Sequence, residues 1–258
     1  MQLEETHSFK FEGQIWKIHP DPYSGWLVVE LRNADTQEVS FLAIYEGELQ
    51  WEGLQFEALW WLNSVGVFNG KLLIHQYDDS PFPSPIFLIG IDLTTQKIAF
   101  TLENRMFQTA NDTVLQAIPS IPEIGNSTQF YRLKNGEIAE NKLIEFEELI
   151  SIKTPIIYFE GEKHFRTIKS FFLDKKIIPP FLQIEYLEVE KYFIVSSYHR
   201  LEDKTIQQLY LFNVQGTLLA DWLLQEKVAG KSPQSFIVHH QRLWFFREKG
   251  ELMLQIIE

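Results

Sequence analysis

Leu88-Ile-Gly90-Ile-Asp92-Leu-Thr-Thr95-Gln96-Lys-Ile-Ala-Phe100 is an apolar run, a polar turn and a second apolar run. The same unit appears before it as Leu42-Ala-Ile-Tyr-Glu-Gly47-Glu-Leu-Gln-Trp51. It appears after it as Phe130-Tyr-Arg-Leu-Lys-Asn-Gly136-Glu-Ile-Ala139, in weaker form as Ser170-Phe-Phe-Leu-Asp-Lys-Lys-Ile-Ile178, and as Leu209-Tyr-Leu-Phe-Asn-Val-Gln-Gly216-Thr-Leu-Leu219. The turns fall near residues 47, 95, 135, 175 and 215. A period of roughly 40 to 48 residues with several strands in each repeat predicts a β-propeller or a related array.

Alignment on the turns predicts four strands per repeat, a to d. In the second repeat they are Ser64–Phe68, Lys71–Tyr77, Ile86–Leu93 and Lys97–Glu103. In the fifth they are Leu182–Glu188, Lys191–Tyr198, Thr205–Phe212 and Thr217–Trp222. The last repeat has Ser235–His239, Arg242–Arg247 and Glu251–Ile257, and then no strand d. His7-Ser-Phe-Lys-Phe-Glu12 alternates like a strand ahead of the first strand a at Gln14–Ile18. A spare strand at one end and a gap at the other predict a ring closed by the N-terminal strand, which leaves no open sheet edge. The expectation is one all-β domain over residues 1–258, a six-bladed propeller, with five blades as the alternative because residues 104–180 fit the frame least well. Two segments have helix-like patterns. Glu140 to Ile152 reads as an irregular strand, and Ala220 to Val228 as a strand running into a loop.

The second repeat resembles the docking motif of PQQ-type propeller repeats, small-x-Asp-x-x-Thr-Gly-x-x-x-Trp. Asp92 and Thr95 match, Gly90 takes the small position, and Gln96 and Phe100 replace Gly and Trp. The first repeat keeps Ala43, Gly47 and Trp51 but has Tyr45 for the Asp. The overall pattern also resembles uncharacterised bacterial six-bladed propeller families of unknown function. The resemblance implies a propeller and no PQQ binding, and no cofactor is expected.

Composition narrows the function. Cysteine is absent, which removes disulfides, thiolate chemistry and Cys-ligated zinc. Lys plus Arg is 23 against 35 Asp plus Glu, a net charge of −12 that opposes nucleic-acid binding. The first residues lack a charged n-region and an apolar h-region, and no apolar run reaches the ~20 residues of a membrane span. These features predict a cytoplasmic protein with neither nucleic acid nor membrane as partner.

No Gly-rich phosphate loop, nucleophile elbow or His-Glu-x-x-His motif is present. His239 and His240 are adjacent on a strand and point to opposite faces, so no metal site is expected there. Asp78-Asp79 reads as a solvated turn. In a propeller the b–c and d–a loops emerge on one face. The b strands end at Arg32-Asn33, Tyr77-Asp78-Asp79 and Tyr198-His199-Arg200, and the d–a connections bring Phe56, Trp60, Trp61, Asn104 and Arg105. Aromatic and Arg anchors of this kind favour recognition. The expectation is a non-catalytic scaffold that holds a protein or a small ligand through Trp60, Trp61, Tyr77, Asp78, Asp79, Arg105, Tyr198, His199 and Arg200. The competing view of the tryptophans is packing between blades. Two other functions stay open: a hydrolase or lyase at the mouth of the central channel, with His199 as an acid or base, and a structural subunit of a larger assembly.

Overall fold

A computed structural model describes residues 6–56, 59–121, 127–140, 152–226, 228, 234–248 and 250–257. The chain is all-β apart from one α-helix and one 3-10 turn among these residues. It divides into two compact units, Glu12–Ser151 and a second made of Met1–Phe11 with Ile152–Glu258. The first strand, β1 (His7–Lys10), belongs to the second unit.

The unit Glu12–Ser151 opens with a four-stranded antiparallel meander, β2 (Gln14–Pro20), β3 (Trp26–Asn33), β4 (Glu38–Tyr45) and β5 (Glu48–Gln55). A 3-10 turn at Leu59–Trp61 leads to the next meander, β6 (Leu62–Phe68), β7 (Lys71–Tyr77), β8 (Pro85–Asp92) and β9 (Lys97–Glu103). A third sheet holds β10 (Arg105–Ala110), β11 (Val114–Pro119) and β12 (Gln129–Arg132), and among the described residues a single bridge between Tyr131 and Ile138 stands beside β12. Val28, Phe41, Leu72, Ile74 and Ile89 form one buried core, and Leu73, Leu88, Phe100, Leu115 and Tyr131 another. The inner strands β3, β4, β7 and β8 are long apolar runs because both of their faces are largely buried.

The geometry of the quoted motif explains its residues. Asp92 Oδ1 accepts from the Thr95 amide at 2.8 Å and from its hydroxyl at 3.0 Å. Gln96 occupies the left-handed position that glycine takes in the motif, with φ 58°. Gly90 lies opposite Phe100, and a Cβ there would sit 2.3 Å from the ring, so only glycine leaves room. Ala43 faces Trp51 in the same way one sheet earlier, and the Trp51 indole donates across to the Leu93 carbonyl at 2.8 Å.

The second unit begins with β13 (Ile152–Lys153), β14 (Ile156–Phe159) and α1 (Lys163–Asp174). Four long strands follow: β15 (Phe181–Val189), β16 (Tyr192–Leu201), β17 (Lys204–Asn213) and β18 (Leu218–Gln225). The last sheet contains β19 (Phe236–His239), β20 (Arg242–Arg247) and β21 (Glu251–Ile256). The expected pairing of the first strand with the last is present: β1 runs antiparallel to β21, with His7 opposite Leu254 and Phe9 opposite Leu252. β13 and β14 each add a fifth strand, the first beside β19 and the second beside β15. Pro155 between them has no amide hydrogen to give a ladder, and the pairing changes sheet across it.

Two expectations change. The repeat placed at Ser170–Ile178 is not a strand–turn–strand: residues 163–174 are helical. Phe165 and Phe172 are buried on one face of α1, against Ile184, Val195, Tyr210 and Phe212, and this packing outweighs the β propensity of the aromatics. The described residues form five sheets, and residues 152–178 supply two added strands and a helix in place of a sixth. The segment read as an irregular strand, 140–152, lies mainly outside the described residues. The strand expected at 220–228 is β18, which ends at Gln225.

Candidate functional site

In the unit Glu12–Ser151 the first strand of each sheet carries a register shift, in β2 between Ile15 and Lys17, in β6 between Ser64 and Gly66, and in β10 between Phe107 and Thr109. A bulge re-aims the extra side chain. In β2 that side chain is Trp16, which is 55% exposed. The Arg32 guanidinium, at the far end of β3, lies 4.9 Å from the Trp16 ring and 5.0 Å from the Trp60 ring. Two indoles thus share one guanidinium. Trp61, the next residue of the 3-10 turn, is 40% exposed. Trp60 also packs against the core, so it joins the two readings of the sequence: inter-sheet packing on one side, a cation partner on the other.

Arg32 is fixed by more than the rings. Its Nε donates to Glu30 Oε1 at 2.7 Å and its NH2 group to the Leu62 carbonyl at 2.8 Å. Glu30 is fully buried, and its Oε2 accepts from both the amide and the hydroxyl of Ser64 on β6. Lys17 Nζ donates to Asn63 Oδ1 and to the Ser64 carbonyl. Burial, opposed by Glu30 and assisted by Arg32, lowers the Lys17 pKa. Burial first, and then the Lys17 charge, pushes His19 and His75 down to about 4, so both rings are neutral near pH 7.

This cluster contains a serine beside a histidine, with 2.7 Å between Ser64 Oγ and His19 Nε2. The wiring differs from that of a nucleophile and its base. The single Ser64 hydroxyl proton goes to Glu30, a carboxylate that only accepts, so His19 Nε2–H must donate to Ser64. His75 Nε2 accepts from the Phe107 amide at 3.0 Å, which occupies its lone pair. The cluster orients Arg32 and joins two sheets.

Leu62 pairs with Gln76, which brings the b–c loop after Tyr77 to the same end of the sheets as Arg32 and Trp60. Asp78 organises that loop. Its carboxylate accepts from the amides and hydroxyls of Ser80 and Ser84, and its own amide donates to the Ser84 carbonyl at 3.2 Å. These bonds, the Ser80 hydroxyl first, hold its pKa below the usual carboxylate value. Asp79 is exposed and Tyr77 half-buried, its ring edge-on to His75. Arg105 is engaged within its own sheet, by Tyr131 Oη at 2.7 Å and Gln129 Oε1 at 2.9 Å.

The three candidates in the second unit do not end a strand. β16 runs on to Leu201, with Arg200 opposite Thr205. Tyr198 and His199 are buried, and His199 stacks on Phe172 of α1. Its Nε2 lies 2.9 Å from Ser197 Oγ and 3.1 Å from Tyr210 Oη, and burial lowers its pKa to about 4. A neutral imidazole under a helix is a core group, and this corrects the expectation of an accessible Tyr198 and His199. Arg200 is exposed and lies over the Phe181 ring at 5.2 Å. The sequence reading passed over Trp16, whose role depends on the bulge, and it passed over the helix that covers His199.

At the opposite end of the first unit's strands a cavity of about 710 Å³ opens among Asn69, Lys71, Asp112, Arg132, Lys134 and Glu140. Lys71 is paired with Asp92 at 2.7 Å and Arg132 with Glu137 at 3.4 Å, so the charges there are largely balanced. No group of three or more His, Asp or Glu side chains suited to a metal occurs among the described residues. No helix among them is long and apolar enough to cross a membrane.

Residues 20–100 match a family described as a domain of unknown function, DUF4905. The match runs from the last residue of β2 into β9 and includes Arg32, Trp60 and the Asp78 loop but not Trp16. No curated protein matches the chain. Among solved structures it is similar to BamB from Moraxella catarrhalis, at 7% identity and TM-score 0.34, over 93% of this chain and 84% of that one. It is also similar to the N-terminal domain of Nup159, at 12% identity and TM-score 0.33, over 94% and 75%. A third is the β-propeller domain of the Trilobed protease from Pyrococcus furiosus, at 10% identity and TM-score 0.31, over 95% and 71%.

Proposed function

We propose that this chain is a non-catalytic binding module built as a single β-propeller of five blades, with β1 completing the blade of β19–β21. Support for the blades comes from successive antiparallel meanders and from the pairing of the first strand with the last. The binding end is that of the b–c and d–a loops in the unit Glu12–Ser151, with Trp16, Arg32, Trp60, Trp61, Tyr77 and Asp79 as its side chains. It holds a protein or a small ligand. One observation carries the reading: a guanidinium that lies over two indoles, with one indole more than half exposed. Aromatic rings and arginine at a solvent boundary are what recognition sites use. The polar groups behind them position Arg32 and present no base to a nucleophile.

The test replaces the exposed rings, Trp16→Ala and Trp61→Ala, and uses each variant as bait against lysate of cells that make the protein. Loss of the proteins and metabolites retained by the wild type, with an unchanged melting temperature, is the expected result. Full retention by the double variant would remove the case for this end of the unit.

A further inference from the structure

Phe82 is 91% exposed, on a loop that is anything but loose. Pro81, Pro83 and Pro85 restrict its backbone. The Asp78 carboxylate accepts four hydrogen bonds from Ser80 and Ser84, and the Asp78 amide closes the loop on the Ser84 carbonyl. A flexible loop would fold such a ring back onto the surface, because burying a Phe removes apolar area from water. Here the hydrogen bonds and prolines hold it out. A rigid, protruding aromatic loses little conformational freedom on binding.

We infer that Phe82 is a preformed anchor for a folded protein that offers an apolar pocket with a cationic rim. The shape selects the partner. A convex knob on a rigid loop needs a concave receptor, which an extended peptide or a small ligand does not provide. The charge selects the rim. Asp78 and the exposed Asp79 stand at the root of the loop, in a chain of net charge −12. The same carboxylates oppose insertion of the ring into an anionic membrane surface. The inference rests on the reading of this end of the unit as the binding end and adds the class of partner to it.

The test places p-benzoylphenylalanine at position 82 of the full chain in its native cells and identifies the photo-adduct by mass spectrometry. The adducted protein is then purified and its affinity measured against the wild type, Phe82→Ala and Asp79→Lys. The expected result is one discrete protein adduct, cross-linked at an apolar pocket bordered by Lys or Arg. Phe82→Ala should weaken binding about 30-fold or more, the loss a hot-spot aromatic carries. Asp79→Lys should slow association and flatten its salt dependence. Phe82 touches no core group, so its melting temperature should equal that of the wild type. Adducts only to lipid, only to a second copy of the chain, or to no discrete species overturn the inference. So does an affinity unchanged by Phe82→Ala. If capture fails with Trp16→Ala and Trp61→Ala but survives Phe82→Ala, the binding end stands and the anchor falls. If capture is indifferent to all three, both fall.

Discussion

Glu30 and Glu185 each take the amide and the hydroxyl of a serine on the next sheet, Ser64 in one unit and Ser235 in the other. Both glutamates are buried. Their surroundings then part. Glu30 has the Arg32 guanidinium at 2.7 Å, and Arg32 is itself held by two indoles and a carbonyl. Among the described residues Glu185 has no cation acting on it, and its Oε1 has no hydrogen-bond partner. Burial pushes the Glu185 pKa up to about 7, against the downward pull of the two Ser235 donors. The same joint therefore carries an Arg–Glu contact where it supports an exposed aromatic site and a carboxyl of raised pKa where it holds two sheets together. A buried charge is costly unless paired, so the presence of Arg32 marks the joint that has a second task.

The strongest way to break the comparison is to remove the cation. Arg32→Met leaves Glu30 buried without its partner and should cost about 3–5 kcal/mol in urea unfolding, the usual penalty for half of a buried pair. A loss under about 1 kcal/mol would mean that Lys17 already neutralises Glu30 and that Arg32 serves the rings alone.

The next test is of Glu185 and depends on pH. The folded pKa lies above the ordinary carboxyl value of 4.5, so the proton is bound more tightly in the folded state. Stability is then greatest below about pH 4.5 and declines as pH rises towards about 7, where the fold must carry a buried carboxylate. At ~1.4 kcal/mol per pKa unit, the swing is on the order of 3 kcal/mol. Glu185→Gln abolishes this titration and keeps an acceptor for Ser235. Its melting temperature relative to the wild type should climb between pH 5 and pH 8. A constant offset across that range would show that Glu185 is ionised throughout, as a paired carboxylate would be.

Much of this architecture is legible in the residues. Lys71–Tyr77, Lys97–Glu103 and Arg242–Arg247 are strands with the expected limits, and the pairing of His7–Lys10 with the final strand follows from one missing strand at the other end. Local alternation and turn chemistry decide such features. The helix at 163–174 was also within reach, since Phe165, Ile168, Phe171 and Phe172 recur at helical spacing, but a strict repeat frame reads the two adjacent aromatics as strand. The site was harder. Trp16 sits in an ordinary alternating strand, and only its pairing with β3 creates the bulge that turns it outward. His199 resembles a loop residue beside Arg200 until β17 extends the ladder and α1 covers it. Both depend on contacts between segments far apart in the chain, which no local pattern encodes.

The smallest expected effect sharpens the comparison at the outer edges of the sheets. In the first unit the β5 aromatic Trp51 reaches the next sheet with a hydrogen bond to the Leu93 carbonyl. In the second unit the β18 aromatic Trp222 meets Phe245, ring to ring at 4.9 Å. One contact is polar and directional, the other apolar. Trp51→Phe keeps a ring but strands a buried carbonyl, and should cost about 1–2 kcal/mol by thermal or urea unfolding. Trp222→Phe keeps the aromatic pair and trims its area, and should cost about half as much. Equal losses would mean that the indole bond adds nothing beyond ring packing. The polar character of the first unit would then be confined to the Glu30 joint, where the aromatic site needs it.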